Sequence, residues 1–185
     1  MTVEEDGTIE TRELGADGIE LLREIDRSEH IDTRYTVEDG RMVGARVEWE
    51  VPPWNAEGDG DHSFGRLISE FRPVVEGGAI LLGAFIDNQF AGIAIVDASF
   101  EGDTAWFAFL HVSRDYRRRG IASALWASGE EIAVTAGATS IYVSATSSGS
   151  DVGFYTTRGC QLADPPHAAL FAKEPEDIHF VCPLT

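Results

Sequence analysis

The chain has 185 residues and a mass of 20.1 kDa, with 43% hydrophobic and 25% charged residues, a size and balance that suit one globular domain, residues 1–185, with a proper core. Its apolar stretches, such as 79–85 broken by Gly83, fall far short of the roughly 18 residues that span a bilayer, and the acidic start MTVEEDGTIE lacks the basic and apolar blocks of a secretion signal. The 32 acidic residues facing 14 basic ones give a net charge of -18, which argues against nucleic-acid partners, since these need a basic face that displaces phosphate counterions.

Residues 8–14 alternate apolar and polar and read as a strand closed by Gly15. Asp17 three residues before Glu20 suggests a capped helix over 17–29, with Ile19, Leu22 and Ile25 on its inner face. From 31 to 64 the pattern loosens around Gly, Pro and Trp, with 46–51 as an isolated strand candidate. Residues 64–75 look helical, disturbed near Pro73 and stopped by Gly77-Gly78. Strands follow at 79–86, 90–96 and 104–112, with Asp87-Asn88 suited to a tight hairpin turn. A helix over 120–136, a strand over 140–146, a short helix over 151–158 and a last strand over 178–184 complete the chain. This order implies a mixed sheet with helices on its faces, an α/β architecture. Cys160 and Cys182 are too few for a disulfide framework or a four-ligand zinc site, so no metal is expected and a reducing cytoplasm is the expected compartment.

Arg114, Arg117, Arg118 and Arg119 stand immediately before Gly120-Ile121-Ala122, a local reversal of sign in an acidic chain. A strand that turns into a helix N-terminus there leaves backbone N–H groups pointing outward from the positive end of the helix dipole, and the small residues let an anion approach the backbone.

The segment LHVSRDYRRRGIASAL, residues 110–125, resembles the acetyl-CoA signature of the GNAT acyltransferase superfamily, and Phe154-Tyr155 followed by Gly159 resembles that family's second motif. The resemblance is specific over residues 79–184 and implies a mixed, splayed β-sheet of about six to seven strands with helices on both faces. Acetyl-CoA would lie in the gap between the strand ending at Val112 and the strand over 140–146. Main-chain groups of Leu110, His111 and Val112 would pair with its pantetheine arm. N–H groups of Arg117, Arg118, Arg119, Gly120, Ile121 and Ala122 would hold its pyrophosphate. Ser148 stands where many relatives carry an asparagine that touches the cofactor arm. Tyr155 matches the position that protonates the departing thiolate, and a backbone N–H near residues 110–112 would meet the oxyanion.

Trp106 occupies the place of the glutamate that serves as base in some relatives. Asp26, Glu29 and His30, expected at the end of the first helix, are the other candidates, with Glu29 the foremost; His111 on a central strand reads more readily as a core residue. The 31–64 segment, an acceptor-side insertion, and the 165–173 loop would build the acceptor pocket, with Trp49, Trp54, Phe64 and Trp106 as aromatic walls. The resemblance implies an N-acetyltransferase acting on a primary amine of a small molecule or on a protein N-terminus through a tetrahedral intermediate, and leaves room for a homodimer. An acyl-CoA-binding module without turnover is the alternative. A P-loop reading fails, because no Gly-Lys-Ser/Thr follows Gly120.

Lys173 is the only lysine beside 13 arginines, and a surface so acidic and poor in lysine resembles that of proteins from halophilic organisms with a salt-rich cytoplasm. Self-repulsion opposes compaction at low salt, and a Debye length of about 3 Å at 1 M salt removes most of it. The melting temperature is therefore expected to climb between about 0.05 and 2 M KCl, a range chosen to carry the Debye length below contact distances. A flat or falling curve would remove the salt-adapted reading.

Overall fold

The computed structural model describes residues 7–184. Nine strands and four α-helices are assigned among them: β1 Ile9–Leu14, β2 Glu29–Glu38, β3 Arg41–Val51, α1 Phe64–Glu76, β4 Ile80–Ile86, β5 Gln89–Glu101, β6 Thr104–Val112, α2 Ile121–Thr135, β7 Ser140–Ala145, α3 Gly149–Thr156, β8 Gln161–Leu162, α4 Ala168–Lys173 and β9 Ile178–Pro183. Seven strands form one sheet in the order β1-β4-β5-β6-β7-β9-β8, and β2 with β3 forms a separate hairpin. Only β6 and β7 run parallel. The mixed sheet expected from the element order is present, with its seven strands and with helices on both faces.

One face of the sheet carries α2 and α3 over the largest core cluster, in which Phe107, Ile121, Leu125 and Phe180 are almost fully enclosed. Gly129 lets α2 close on the sheet, since a Cβ there would collide with the Phe107 ring. The other face packs a 3-10 segment, Ala16–Glu24, and α1 through Ile19, Leu22, Ile68 and Phe71. α1 begins on a Ser63 cap whose hydroxyl accepts from the Arg66 N–H, and it runs through Pro73 to Glu76 without interruption.

Three expectations are corrected. The first helical segment is a 3-10 turn that ends at Glu24 and has Gly15 at its start with no side-chain cap, so Glu29 and His30 open a strand instead of closing a helix. The loose segment contains the β2–β3 hairpin, turning through Asp39 and Gly40 with φ of 49° and 72°, the left-handed pair that such tight turns require. Cys160 and Cys182, too few for a framework, are nonetheless bonded to each other and tie the end of α3 to β9. Among the described residues no helix is long and apolar enough to cross a membrane.

Candidate active site

The site begins with a defect in strand pairing. β6 pairs with β7 only at Thr104, Ala105 and Trp106, opposite Ser140, Ile141 and Tyr142. On its other side, β6 shifts register against β5: Ile95 faces Phe109 while Val96 faces Phe107, so Ala108 is an extra residue, a β-bulge that bends and twists the strand. Side chains record the shift, because Phe107 and Leu110 both join the cluster under α2 while Phe109 joins the opposite one. Beyond Trp106 the strands part, and the β6 edge towards β7 has no ladder partner.

The parted strand leads through Arg114–Tyr116 into the arginine turn. Arg118 and Gly120 adopt φ of 64° and 85°, and the Gly120 value belongs to the left-handed region that favours glycine. No hydrogen bond to a described residue occupies the N–H groups of residues 118–123, and the exposed side chains of Arg118 and Arg119 make no ion pair among the described residues. Together they present open donors and positive charge at the start of α2, an arrangement suited to an anion.

Arg117 has a different task. Its Nε donates to the Val112 carbonyl at 3.0 Å, Nη2 to the Arg27 carbonyl at 3.0 Å and Nη1 to the Ser28 carbonyl at 3.3 Å, with Glu29 Oε2 also 3.3 Å from Nη1. Its own N–H donates to the Arg114 carbonyl. The guanidinium is thus an internal strut, and the anion cradle narrows to residues 118–122. Val112 is correspondingly less free than Leu110 and His111, since its carbonyl already accepts from Arg117.

Across the gap, Ser148 is fully buried and caps α3, accepting from the Asp151 N–H at 3.1 Å. Tyr155 lies later on the same helix, 6% exposed, its ring edge-on to Trp126 and Phe154. Its hydroxyl has no hydrogen-bond partner among the described residues, yet it is not one of the fully enclosed orphan atoms, which are the indole nitrogens of Trp106 and Trp126. Burial first, then the charge of Asp151, holds the phenol well above its ordinary pKa.

Two carboxyl groups not singled out from the sequence stand beside it. Burial, and then Glu29, push Asp151 up to about 6 against hydrogen bonds with Ser148 and Thr146 and the charge of Arg117. Burial, then Glu174 and Asp151, push Asp177 up to about 7. The spacing of Asp151 to Tyr155, four residues on a helix, was the available signal, because such residues share a face.

The expected bases fare differently. Glu29 is held by Arg117 and by Ser150, whose hydroxyl donates at 2.9 Å. Asp26 folds onto the Ser28 N–H at 2.8 Å, and hydrogen bonding to Ser28 lowers its pKa. His30 lies on the outer hairpin, 2.6 Å from Glu50. Burial, and then Arg117 and Arg27, bring His111 down to about 3, so it is a neutral imidazole beside Trp54 and Phe109. The four candidate aromatic walls do not converge: Trp54 and Phe64 pack together, Trp106 packs with Tyr142 and Leu170, and Trp49 is exposed under Arg34.

A family model described as the acetyltransferase (GNAT) family matches residues 43–160. The fold is similar to that of a putative streptothricin acetyltransferase from Bacillus anthracis str. Ames in complex with acetyl coenzyme A, with TM-score 0.69 and 17% identity over 96% of this chain and 99% of that one. It is also similar to the PaiA N-acetyltransferase of Thermoplasma acidophilum in complex with coenzyme A, with TM-score 0.60 and 17% identity over 95% and 99% of the two chains. The ribosomal-protein-S18-alanine N-acetyltransferase of Escherichia coli gives TM-score 0.60 and 14% identity over 96% and 95%. Among curated proteins no sequence matches the chain.

The raised carboxyl pKa values have a definite sign in stability. Asp151 and Asp177 favour the fold while protonated, and that contribution disappears as pH rises through about 6 and 7. Asp177→Asn should therefore raise the melting temperature at pH 8 by about 2 to 6 °C, at roughly 2 to 4 °C per kcal/mol for a chain of this size, and by clearly less at pH 5, where the folded carboxyl is protonated and only the unfolded one is ionised. Thermal unfolding at both pH values checks this, and equal shifts at the two would count against it.

Proposed function

The chain belongs to the GNAT acetyltransferase family, and on that premise we propose that it is an N-acetyltransferase that uses acetyl-CoA to acetylate a primary amine of a small molecule or a protein N-terminus. The observations that carry this reading are the unpaired β6 edge, the open N–H groups of residues 118–122 and the unpartnered hydroxyl of Tyr155, all on β6 or on the elements that follow β6 and β7.

These residues suit the cosubstrate. The strand edge at Leu110 and His111 offers main-chain groups to the pantetheine amides, as an added strand would. Residues 118–122 offer donors and positive charge to the pyrophosphate. A backbone N–H of the β6 edge supplies a preorganised donor for the oxyanion of the tetrahedral intermediate. Tyr155, kept protonated by its surroundings, donates to the sulfur as it leaves. Ser148 serves the site by fixing the first turn of α3, because its hydroxyl is committed to the helix cap. The β2–β3 hairpin reaches this groove where the Tyr35 N–H donates to the Ser147 carbonyl at 2.7 Å, which supports an acceptor-side role for the inserted segment.

Gly120→Val should weaken coenzyme A binding severely, since a β-branched residue is strained at the φ of Gly120 and obstructs approach to the backbone. Calorimetry on folded protein checks this, with Arg12→Ala as a distant control; equal affinities for Gly120→Val and wild type would remove the cradle.

Turnover is tested by thiol release from acetyl-CoA across a panel of small amines and peptide N-termini. Tyr155→Phe should lower kcat about 10- to 1,000-fold, around or below the range for general acid catalysis, with acetyl-CoA affinity unchanged. Tight acetyl-CoA binding without thiol release for any acceptor would instead favour a binding module.

A further inference from the structure

We propose that Asp151 is the general base of this site and that Asp151 and Tyr155, one helical turn apart on α3, form a closed proton shuttle from the attacking nucleophile to the departing sulfur. The proposal rests on the acetyl-transfer reading above.

The first argument is elimination by geometry. Trp106 fills the place of a strand glutamate and packs against Phe100, Tyr142 and Leu170. Glu29, Asp26 and His30 are committed to Arg117, Ser28 and Glu50, and His111 lies among aromatic rings. Asp151 remains, on the helix that also carries Tyr155.

The second argument is the absence of compensation. No ion pair to Asp151 occurs among the described residues, and the nearest guanidinium, Arg117, is already spread over three carbonyls and Glu29. The groups facing Asp151 are Glu29 from β2, Arg117 from the turn before α2, Tyr155 from its own helix and Asp177 from the turn before β9, with Ser148 and Thr146 hydrogen-bonding to it. A partly buried carboxylate without a cation of its own is costly. A salt-adapted surface does not account for it, because surface acids there face water. Burial and Glu29 leave it titrating at about 6, close to the working range of a general base.

The third observation is independent of the acids. Tyr155 is 6% exposed and its hydroxyl is unpartnered among the described residues, four residues after Asp151. A buried phenol with an open donor is a group awaiting a ligand atom.

The step balances without any further reagent. The nitrogen of the amine bonds to the thioester carbonyl carbon and the C–S bond breaks. The Asp151 carboxylate takes the proton shed by nitrogen, and the Tyr155 hydroxyl gives its proton to sulfur. The Asp151 carboxylic acid then returns a proton to the Tyr155 oxyanion through solvent water, since no hydrogen bond joins the two side chains directly. Both side chains finish as they began, and the net movement is one proton from nitrogen to sulfur.

The test is the pH dependence of thiol release from acetyl-CoA, with water and with hydrazine as nucleophiles so that no acceptor pocket is needed. The wild-type rate should rise through about pH 6. Asp151→Asn, which keeps an acceptor in the first turn of α3, should lose that inflection and about 100-fold in rate, as removal of a general base does. Its acetyl-CoA affinity should match wild type and its melting temperature should rise, more at pH 8 than at pH 5, because the neutral amide removes a carboxyl group that is costly when ionised; Asp151→Ser gives a second reading if the amide disturbs the cap. Asp177→Asn should keep the inflection. A wild-type rate or a retained inflection in Asp151→Asn overturns the shuttle. If Tyr155→Phe is slowed while Asp151→Asn is not, the shuttle alone fails; if the wild type binds acetyl-CoA but releases no thiol with either nucleophile, the transfer reading fails with it.

Discussion

The site depends on two parallel strands that stay paired for three residue pairs and then separate. A continuous ladder between β6 and β7 would satisfy their backbone groups internally and leave nothing to offer a ligand. The bulge at Ala108 bends β6 away, and the β7 residues Val143, Ser144 and Ala145 take their partners from β9 alone. The unsatisfied edge this creates is expensive in a protein interior unless water or a ligand meets it. A free strand edge suited to an added strand is thus the direct product of a pairing fault.

Charge at the arginine turn is divided by function. Arg117 is turned inward and joins the turn before α2 to residues 27–29, where the hairpin begins. Charge-assisted bonds of this kind contribute about 1.5 to 3 kcal/mol each, and here they hold the cradle and the hairpin in one frame. Arg118 and Arg119 remain outside, where they counter the field of a chain with net charge -18. The same guanidinium that braces the frame also occupies Glu29, so the strut removes one carboxylate from the chemistry.

Much of this was legible in the sequence. Most strands and helices beyond residue 79 follow from apolar alternation and turn pairs, because each has one strongly buried face, whereas β8 is not expected from the sequence and α4 lies in the segment that reads as the 165–173 loop. The first half was less legible for physical reasons. Ile19, Leu22 and Ile25 repeat every three residues and are all buried, a spacing that belongs to the three-residue turn of a 3-10 helix and that also fits an α-helix face. β2 and β3 are largely exposed, so they lack the period-two apolar signal of a half-buried strand; the Asp39-Gly40 pair was their one clear mark. At the site, clustered arginines before small residues point to the glycine turn, and the family resemblance points to Tyr155. The four-residue spacing of Asp151 to Tyr155 is visible in the sequence, but the charges that surround Asp151 come from distant parts of the chain and are not. Arg117 was assigned to the anion when its bonds lie within the protein.

The Cys160–Cys182 bond closes a covalent ring over a sequence separation of 22, and that ring contains β8, α4 and most of β9. Every strand from β1 to β7 lies outside it. A crosslink of this span removes about 3 kcal/mol of unfolded-chain entropy in the loop-closure model, and all of it accrues to the segment that follows Tyr155. In this fold, therefore, the thiol balance of the surroundings acts on the short C-terminal segment as a separate variable: the wall behind the tyrosine is as firmly tethered as its compartment is oxidising.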